Sequence, residues 1–223
     1  MNFDPQTFLL NILVIVFAIG LHEYCHAKFA DLAGDPTPRI MGRVTLNPLN
    51  HLDPIGTLLI ILSSLAGFGI GWGRPVLVDP SRMRNPRWDH FISVIAGPIS
   101  NLLQAAVYAI VLRMYALATG SPLLESGNLL SYFLFFGVVV NLSLFFFNLI
   151  PLGPLDGHWL VGAFLPERQR LKWYIFNRGV GGLIFIVLIL IPRSSEFNLI
   201  GRVLQPLVMS TAEYFLGVRL GIG

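Results

Sequence analysis

The sequence predicts a membrane-embedded α-helical protein, a polytopic bundle of about five to six transmembrane helices. Of its 223 residues, 54% are apolar and only 12% are charged, and the mean hydropathy is +0.69. Soluble domains carry about a quarter charged residues. A bilayer core of roughly 30 Å needs about 20 apolar residues per helix, and the chain contains several such runs. We therefore expect one integral-membrane domain over residues 1–223, surrounded by a lipid bilayer.

Apolar runs bounded by turn signals place the helices along the chain. The first is expected over about 7–33, where the turn sequence GDPTP follows. Long helices are expected over about 88–118 and 128–150, and two C-terminal helices over about 174–192 and 198–217. The leader MNFDPQ contains no Lys or Arg, and no small-residue cleavage site follows the first run. We therefore expect this helix to be retained rather than removed as a signal peptide.

The apolar stretch at 55–70 has two interpretations. It is marginal in length for a span, and the glycines of the following GFGIGWG suit a turn at membrane depth. Basic loops flank it on both sides, which favours a re-entrant segment that enters the membrane and returns. The alternative is an ordinary sixth crossing, which would invert half of the topology.

The distribution of charge predicts the orientation and excludes one class of partner. Most Lys and Arg residues lie in loops on one side of the predicted helices, which the positive-inside rule assigns to the cytoplasm. The N-terminus is then expected outside, with five full crossings. The net charge of +3 is small and the basic residues are dispersed, so we expect no binding of nucleic acid.

Three ionisable residues near the end of the first helix form the pattern H-E-x-x-H: His22, Glu23 and His26. A spacing of four places both imidazoles on one helical face, where two nitrogens can bind one zinc ion. Glu23 lies about 100° round the helix, close enough to accept a proton from a metal-bound water. The helical rise places His22 about 10 Å from the cytoplasmic edge of the bilayer. Ionisable groups at that depth are costly and usually functional, which disfavours a chance match.

A catalytic zinc site typically has three protein ligands, so one more must come from another segment. Asp156, in PLGPLDGHWL, is the leading candidate because it follows the helix over 128–150 on the same side as His22. The alternatives that the residues themselves leave open are His51, Asp53, His158 and Cys25. Turn capping is the favoured role of the first two, and packing that of Cys25, the single cysteine of the chain.

Three motifs in order, HEYCHAKFADLAGD, AGPISN and NLIPLGPLDG, resemble the site-2 proteases, a family of intramembrane zinc metalloproteases. The resemblance implies that His22, His26 and Asp156 bind one zinc ion and that Glu23 is the general base. It also implies that Asn148 holds the substrate or stabilises the oxyanion. Iron and cobalt stay open as alternatives to zinc for these ligand types.

The resemblance also implies how a substrate is held. GRVTL is similar to the small membrane-dipping β-hairpin with which such enzymes bind a substrate as an added strand. The predicted substrate-binding residues are therefore Arg43, Val44, Thr45, Leu46 and Asn148. A transmembrane substrate must unwind before its peptide bonds can pair with such an edge.

The implied function is hydrolysis of peptide bonds within or near the transmembrane segments of membrane-anchored proteins. The expected setting is a multi-pass protein of a bacterial or archaeal cell membrane, with a catalytic core over about 7–165 near the cytoplasmic side. Many members carry PDZ or CBS domains, which we do not expect in these 223 residues, so we expect a separate partner to present or regulate substrates. One rival function is a metal-binding transporter, but the sequence lacks the paired repeats that are common in transporters. The other is an inactive scaffold, which the presence of Glu23 and Asp156 disfavours.

Overall fold

The computed structural model describes residues 4–65, 71–125, 127–191 and 198–220, and this part of the chain is α-helical. Its α-helices are α1 (Pro5–Ala33), α2 (Thr37–Ile40), α3 (Pro54–Leu65), α4 (Trp88–Thr119), α5 (Leu129–Asn148), α6 (Gly157–Phe164), α7 (Glu167–Phe176), α8 (Gly182–Leu190) and α9 (Leu199–Leu216). A π-helical turn, Asn177–Gly181, joins α7 to α8. Short 3₁₀ turns occur at Pro48–His51 and Pro80–Arg82.

Four helical runs in the described residues are long and apolar enough to cross a membrane. They are Pro5–Ala33, Trp88–Thr119, Leu129–Asn148 and Glu167–Leu190. The prediction of a helical multi-pass membrane protein is confirmed, but five crossings are not supported. The predicted fifth span, 198–217, does form α9, but α9 is not among the four runs. The reason is composition: α9 is more polar than the four runs because it contains Arg202, Gln205 and Glu213.

Local sequence explains why the first span begins and ends where it does. The Asp4 side chain accepts hydrogen bonds from the backbone N–H groups of Gln6 and Thr7, at 3.1 and 3.3 Å, and Pro5 follows as the first helical residue. At the other end Gly34 adopts φ +112°, and its N–H group bonds back to the last turn. The helix therefore keeps both histidines of H-E-x-x-H inside its regular length.

The core lies between α4, α5 and α9. Its buried members are Ala105, Ala109, Leu112, Leu134, Val138, Leu142, Val208, Ala212 and Leu216. Small residues let the helices approach closely, because a Cβ atom on Gly137 of α5 would lie 2.6 Å from the Tyr108 ring on α4. On its other side α4 packs along α1, and this contact holds the candidate site.

The two ends of the segment between residues 52 and 73 lie next to each other. An isolated antiparallel bridge pairs Leu52 with Gly73, and the Arg74 N–H group donates to the His51 carbonyl at 2.7 Å. Helix α3 has 12 residues, about 18 Å, which is short for a full crossing. Both ends of the segment thus lie side by side, as a re-entrant path requires. The remainder of the predicted segment, 66–70, falls outside the described residues.

The β-hairpin expected around GRVTL is not supported. Residues Thr37–Ile40 form α2, and turns and bends follow as far as residue 46. The cause is Arg43, whose guanidinium is buried and donates to the backbone oxygens of Asn50, Arg74 and Pro75. Arg43 therefore ties two loops together instead of standing on an open strand edge.

The backbone at Thr45 is also occupied. His51, which is buried, donates from Nε2 to the Thr45 carbonyl at 2.8 Å. Val44 and Thr45 are half-buried, and Leu46 is exposed. Of the four residues predicted as a substrate edge, only Leu46 thus presents most of its surface to the surroundings.

Candidate metal centre

Two histidines of α1 and one aspartate meet in the structure. Their Nε2 atoms, from His22 and His26, lie 2.9 Å apart, and each lies 3.3 Å from Oδ2 of Asp156. Asp156 immediately precedes α6, so the third atom comes from a distant part of the chain. This is the arrangement that the sequence predicted for a metal site, and all three side chains are largely buried.

Helix α4 forms the wall behind the two histidines. A Cβ atom on Gly97 would lie 2.3 Å from Nε2 of His26 and 2.8 Å from Nε2 of His22, so only glycine allows this approach. One turn to either side, α4 bonds the other ring nitrogens. The Ser93 carbonyl lies 2.8 Å from Nδ1 of His26, and Oδ1 of Asn101 lies 2.7 Å from Nδ1 of His22.

A glycine and a buried amide hold the loop that carries Asp156. A Cβ atom on Gly157 would lie 2.4 Å from the carbonyl oxygens of Leu149 and Ile150, so glycine lets the loop fold against the end of α5. Within the loop, the Gly153 N–H group donates to Oδ1 of Asn177 at 2.8 Å. The π-helical turn between α7 and α8 is thereby attached to the aspartate loop.

The positions of the hydrogens on the two histidine rings leave a set of donor atoms that fits a metal cation. A carbonyl oxygen can only accept, so Nδ1 of His26 carries a hydrogen and the neutral ring leaves Nε2 bare. The side-chain oxygen of Asn101 has the same effect on His22. Two bare nitrogens and a carboxylate oxygen then face one another, and Oδ2 of Asp156 has no hydrogen-bond partner among the described residues. A cation between them removes the repulsion of their lone pairs, and two His with one carboxylate is a known zinc ligand set.

Glu23 lies beside this group, on the side of α1 that faces the returning segment. A Cβ atom on Gly73 would lie 3.3 Å from Cγ of Glu23, so the backbone at Gly73 passes directly against the glutamate. Burial lowers the pKa of Arg43, and the nearby carboxylate of Glu23 opposes that shift. Glu23, which follows His22 directly in α1, thus lies against the backbone at Gly73 and near the buried guanidinium of Arg43.

The other predicted site residues do not join the three donors. Asn148 donates from Nδ2 to the Leu144 carbonyl of its own helix at 3.0 Å. Asp53 accepts from the Gly56 N–H group at 2.8 Å, which confirms the turn-capping role preferred for it. His51 bonds the Thr45 carbonyl, as described above. His158 directs Nδ1 to the Leu155 carbonyl. Cys25 is half-buried and lies outside the group of three.

Sequence reasoning missed two buried amides: Asn101, which bonds His22, and Asn177, which bonds the loop that carries Asp156. For Asn101 a signal existed. It lies one turn after Gly97 in an apolar helix, and a strongly polar side chain inside a membrane span usually has a function. For Asn177 we find no comparable signal, because its partner is a backbone group of a loop 24 residues away in the chain.

Comparisons with known proteins identify the family of the chain. Residues 113–191, which include Asp156 and exclude α1, match the family described as Peptidase family M50. The chain is 34% identical to "Putative zinc metalloprotease YwhC" of Bacillus subtilis (strain 168) over 212 residues, 88% of this chain and 93% of that protein. It is 30% identical to "Putative zinc metalloprotease Rip2" of Mycolicibacterium smegmatis (strain ATCC 700084 / mc(2)155) over 196 residues, 85% of this chain and 70% of that protein. No solved structure matches the chain. On this likeness, the chain belongs to peptidase family M50, the zinc metalloproteases of the site-2 protease type.

Proposed function

We propose that the protein hydrolyses peptide bonds within or near the transmembrane segments of membrane-anchored proteins. The observation that carries the proposal is the convergence of His22, His26 and Asp156, with Glu23 beside them, inside a bundle of apolar helices. These three side chains would hold one zinc ion. When bound, zinc polarises the substrate carbonyl and makes its water a stronger acid near neutral pH.

The chain's own residues supply the proton transfers. Glu23 accepts a proton from the attacking water and delivers it to the amide nitrogen as the C–N bond breaks, so no further acid is needed. Hydrogen bonds from the rings of His22 and His26 to α4 keep the nitrogens that face Asp156 free of hydrogen. Asn148 stays a proposed substrate or oxyanion contact, and it would have to release the Leu144 carbonyl to act.

Substrate binding is proposed beside Glu23. Residues 71–79 have no regular secondary structure and pass this side chain at Gly73, where an added Cβ atom would lie 3.3 Å from Cγ of Glu23. An unwound substrate segment laid along this stretch would bring its carbonyl groups to the glutamate. We propose this stretch for substrate binding instead of Arg43 and Thr45, because the polar groups of those two residues are already bonded within the protein.

The orientation in the membrane is part of the proposal. Lys28 near the end of α1 and the arginines of the loop before α4, Arg82, Arg84 and Arg87, lie at the same end of the bundle as the three donors. The positive-inside rule assigns that end to the cytoplasm. Hydrolysis would then occur near the inner surface of the cell membrane.

The test uses the purified full chain in lipid nanodiscs with a model transmembrane peptide. We expect one zinc ion per chain and cleavage that a chelator abolishes and added zinc restores. Glu23→Gln should keep the zinc and lose cleavage, because only the proton acceptor is removed. A metal transporter or an inactive scaffold would bind zinc without cleaving the peptide. Zinc binding without cleavage by the unaltered protein would therefore refute the proposal.

A further inference from the structure

A chain of buried amides runs from α5 through α4 to the first histidine. Nδ2 of Asn141 donates to the Gly137 carbonyl at 2.9 Å. Nδ2 of Asn101 donates to Oδ1 of Asn141 at 2.9 Å and to the Ala18 carbonyl at 3.2 Å. Oδ1 of Asn101 faces Nδ1 of His22 at 2.7 Å. Both asparagines are 0% exposed, so water does not compete for these bonds.

The carbonyl groups of Gly137 and Ala18 determine the direction of every hydrogen bond in this series of amides. A carbonyl can only accept, so the Gly137 oxygen requires the NH₂ group of Asn141 and leaves its oxygen for Asn101. The Ala18 oxygen independently requires the NH₂ group of Asn101. Oδ1 of Asn101 must then point at His22, whose Nδ1 must carry the hydrogen. The amide orientations are thus assigned by the network itself.

We propose that Asn101 is a positioning residue that fixes the tautomer of His22, and that Asn141 acts on the metal centre through Asn101. The inference rests on the proposed zinc site, which needs a bare Nε2 atom on His22. His26 needs no such device, because the Ser93 backbone carbonyl performs the same task. Helix α5 would in this way influence a metal ligand that it does not touch.

The location of the two amides supports this role. Both lie within helices that are candidate membrane spans, where an unpaired polar group is costly. Partners of metal-bound imidazoles typically change metal affinity about 10- to 100-fold when removed. If Asn141 were lost, only the Ala18 carbonyl would still hold the NH₂ group of Asn101, so the amide would turn more readily to present NH₂ to His22 and move the hydrogen to Nε2.

The experiment measures zinc affinity by competition with a chelator, using the full chain in nanodiscs. The variants are Asn101→Leu, Asn141→Leu and the double variant. We expect zinc binding to weaken about 10- to 100-fold for Asn101→Leu and less for Asn141→Leu. Because Asn141 acts only through Asn101, the double variant should bind zinc as Asn101→Leu does.

Gln104→Leu is the matched control. Gln104 lies on α4 three residues from Asn101, and its buried Nε2 atom has no hydrogen-bond partner among the described residues. It lines a small cavity of about 150 Å³ on the face of α1 that bears Gly20 and Tyr24. This variant loses an amide from the same helix and should bind zinc with unchanged affinity.

A second measurement keeps the inference testable if a variant does not fold. In the unaltered, metal-free protein labelled with ¹⁵N-histidine, NMR should show His22 with hydrogen on Nδ1, with the signal assigned from its absence in His22→Ala. A hydrogen on Nε2 alone, full zinc affinity in Asn101→Leu, or additive losses in the double variant would each overturn the inference. If the unaltered protein binds no zinc, the proposed function fails, and the NMR result still decides the tautomer.

Discussion

His22 and His26 direct their Nε2 atoms at each other across 2.9 Å, while α4 holds both opposite nitrogens. Neither ring can turn away without losing a buried hydrogen bond. The pair is therefore preorganised for a cation. Because folding already orients both rings, metal binding does not need to supply that free energy.

Removal of the metal should lower the thermal stability of the protein. Folding brings together Nε2 of His22 and His26 and Oδ2 of Asp156, and a ligand that binds only the folded state stabilises it. We expect the Tm to fall when a strong chelator is added and to recover with zinc. Thermal unfolding in nanodiscs, followed by circular dichroism, measures the shift.

The control for this prediction is His22→Ala with His26→Ala. This double variant cannot hold zinc through its two imidazoles, so its Tm should not respond to chelator or zinc. An equal response of the variant and the unaltered protein would place the stabilising metal somewhere else.

Gly97→Ala should disrupt the metal centre without any change in its ligands. The new methyl group would lie 2.3 Å from Nε2 of His26, so α4 or the histidine must move. Overpacking of this kind costs about 1–3 kcal/mol, and we expect zinc affinity to fall at least tenfold. Competition with a chelator measures the affinity.

Gly179→Ala serves as the comparison for Gly97→Ala. A Cβ atom on Gly179 would have nothing within 4 Å, so this variant should keep both its stability and its zinc. Unchanged zinc affinity in Gly97→Ala would show that α4 does not hold the histidines as closely as described.

Arg43→Ala should destabilise the protein, because Arg43 ties loops together rather than binding substrate. The change leaves backbone oxygens of Asn50, Arg74 and Pro75 without their donor, and a buried unsatisfied group costs about 1–3 kcal/mol. We expect a lower free energy of unfolding by about 2 kcal/mol or more. Activity should fall with it at all substrate concentrations.

Arg39→Ala tests whether the loss is specific to a buried arginine. The Arg39 side chain is 70% exposed and pairs with Asp31 at 2.6 Å, and such a pair is worth about 1 kcal/mol at most. If Arg43→Ala raised only the KM and left stability intact, the original prediction of a substrate-binding residue would be correct.

Asn177→Leu should weaken zinc binding from a distance. It removes the acceptor for the Gly153 N–H group, which anchors the loop that carries Asp156. We expect several-fold weaker zinc binding and lower activity, measured by chelator competition and peptide cleavage. The comparison is Asn198→Ala, which removes the cap of α9 and should reduce stability by about 1 kcal/mol with no effect on zinc. Equal zinc affinities in both variants would argue against a role for the π-helical turn.

The three proposed metal ligands could be predicted because the signals were local. Helical periodicity places His22 and His26 on one face, and counting along the predicted spans brings Asp156 to the same depth. The structure brings all three together. The limits of α1, α4 and α5 were predicted to within about two residues for the same reason, since caps and turn residues mark them.

The parts that could not be predicted depend on tertiary contacts. The β-prone stretch around Val44 forms no strand, because the buried guanidinium of Arg43 bonds loops that are distant in sequence. The hydrogen bond of Asn101 to His22 requires the packing of α4 on α1, which no local pattern specifies. The more polar character of α9, by contrast, is visible in its composition and could have been predicted from Arg202, Gln205 and Glu213.

The central claim is that His22, His26 and Asp156 bind one metal ion, and X-ray absorption at the zinc edge of the loaded protein tests it most directly. The account predicts one zinc per chain with nitrogen and oxygen ligands at about 2.0–2.2 Å and the outer scattering of two imidazoles. A sulfur ligand at about 2.3 Å, which only Cys25 or a methionine could supply, or a spectrum without imidazole scattering would contradict it.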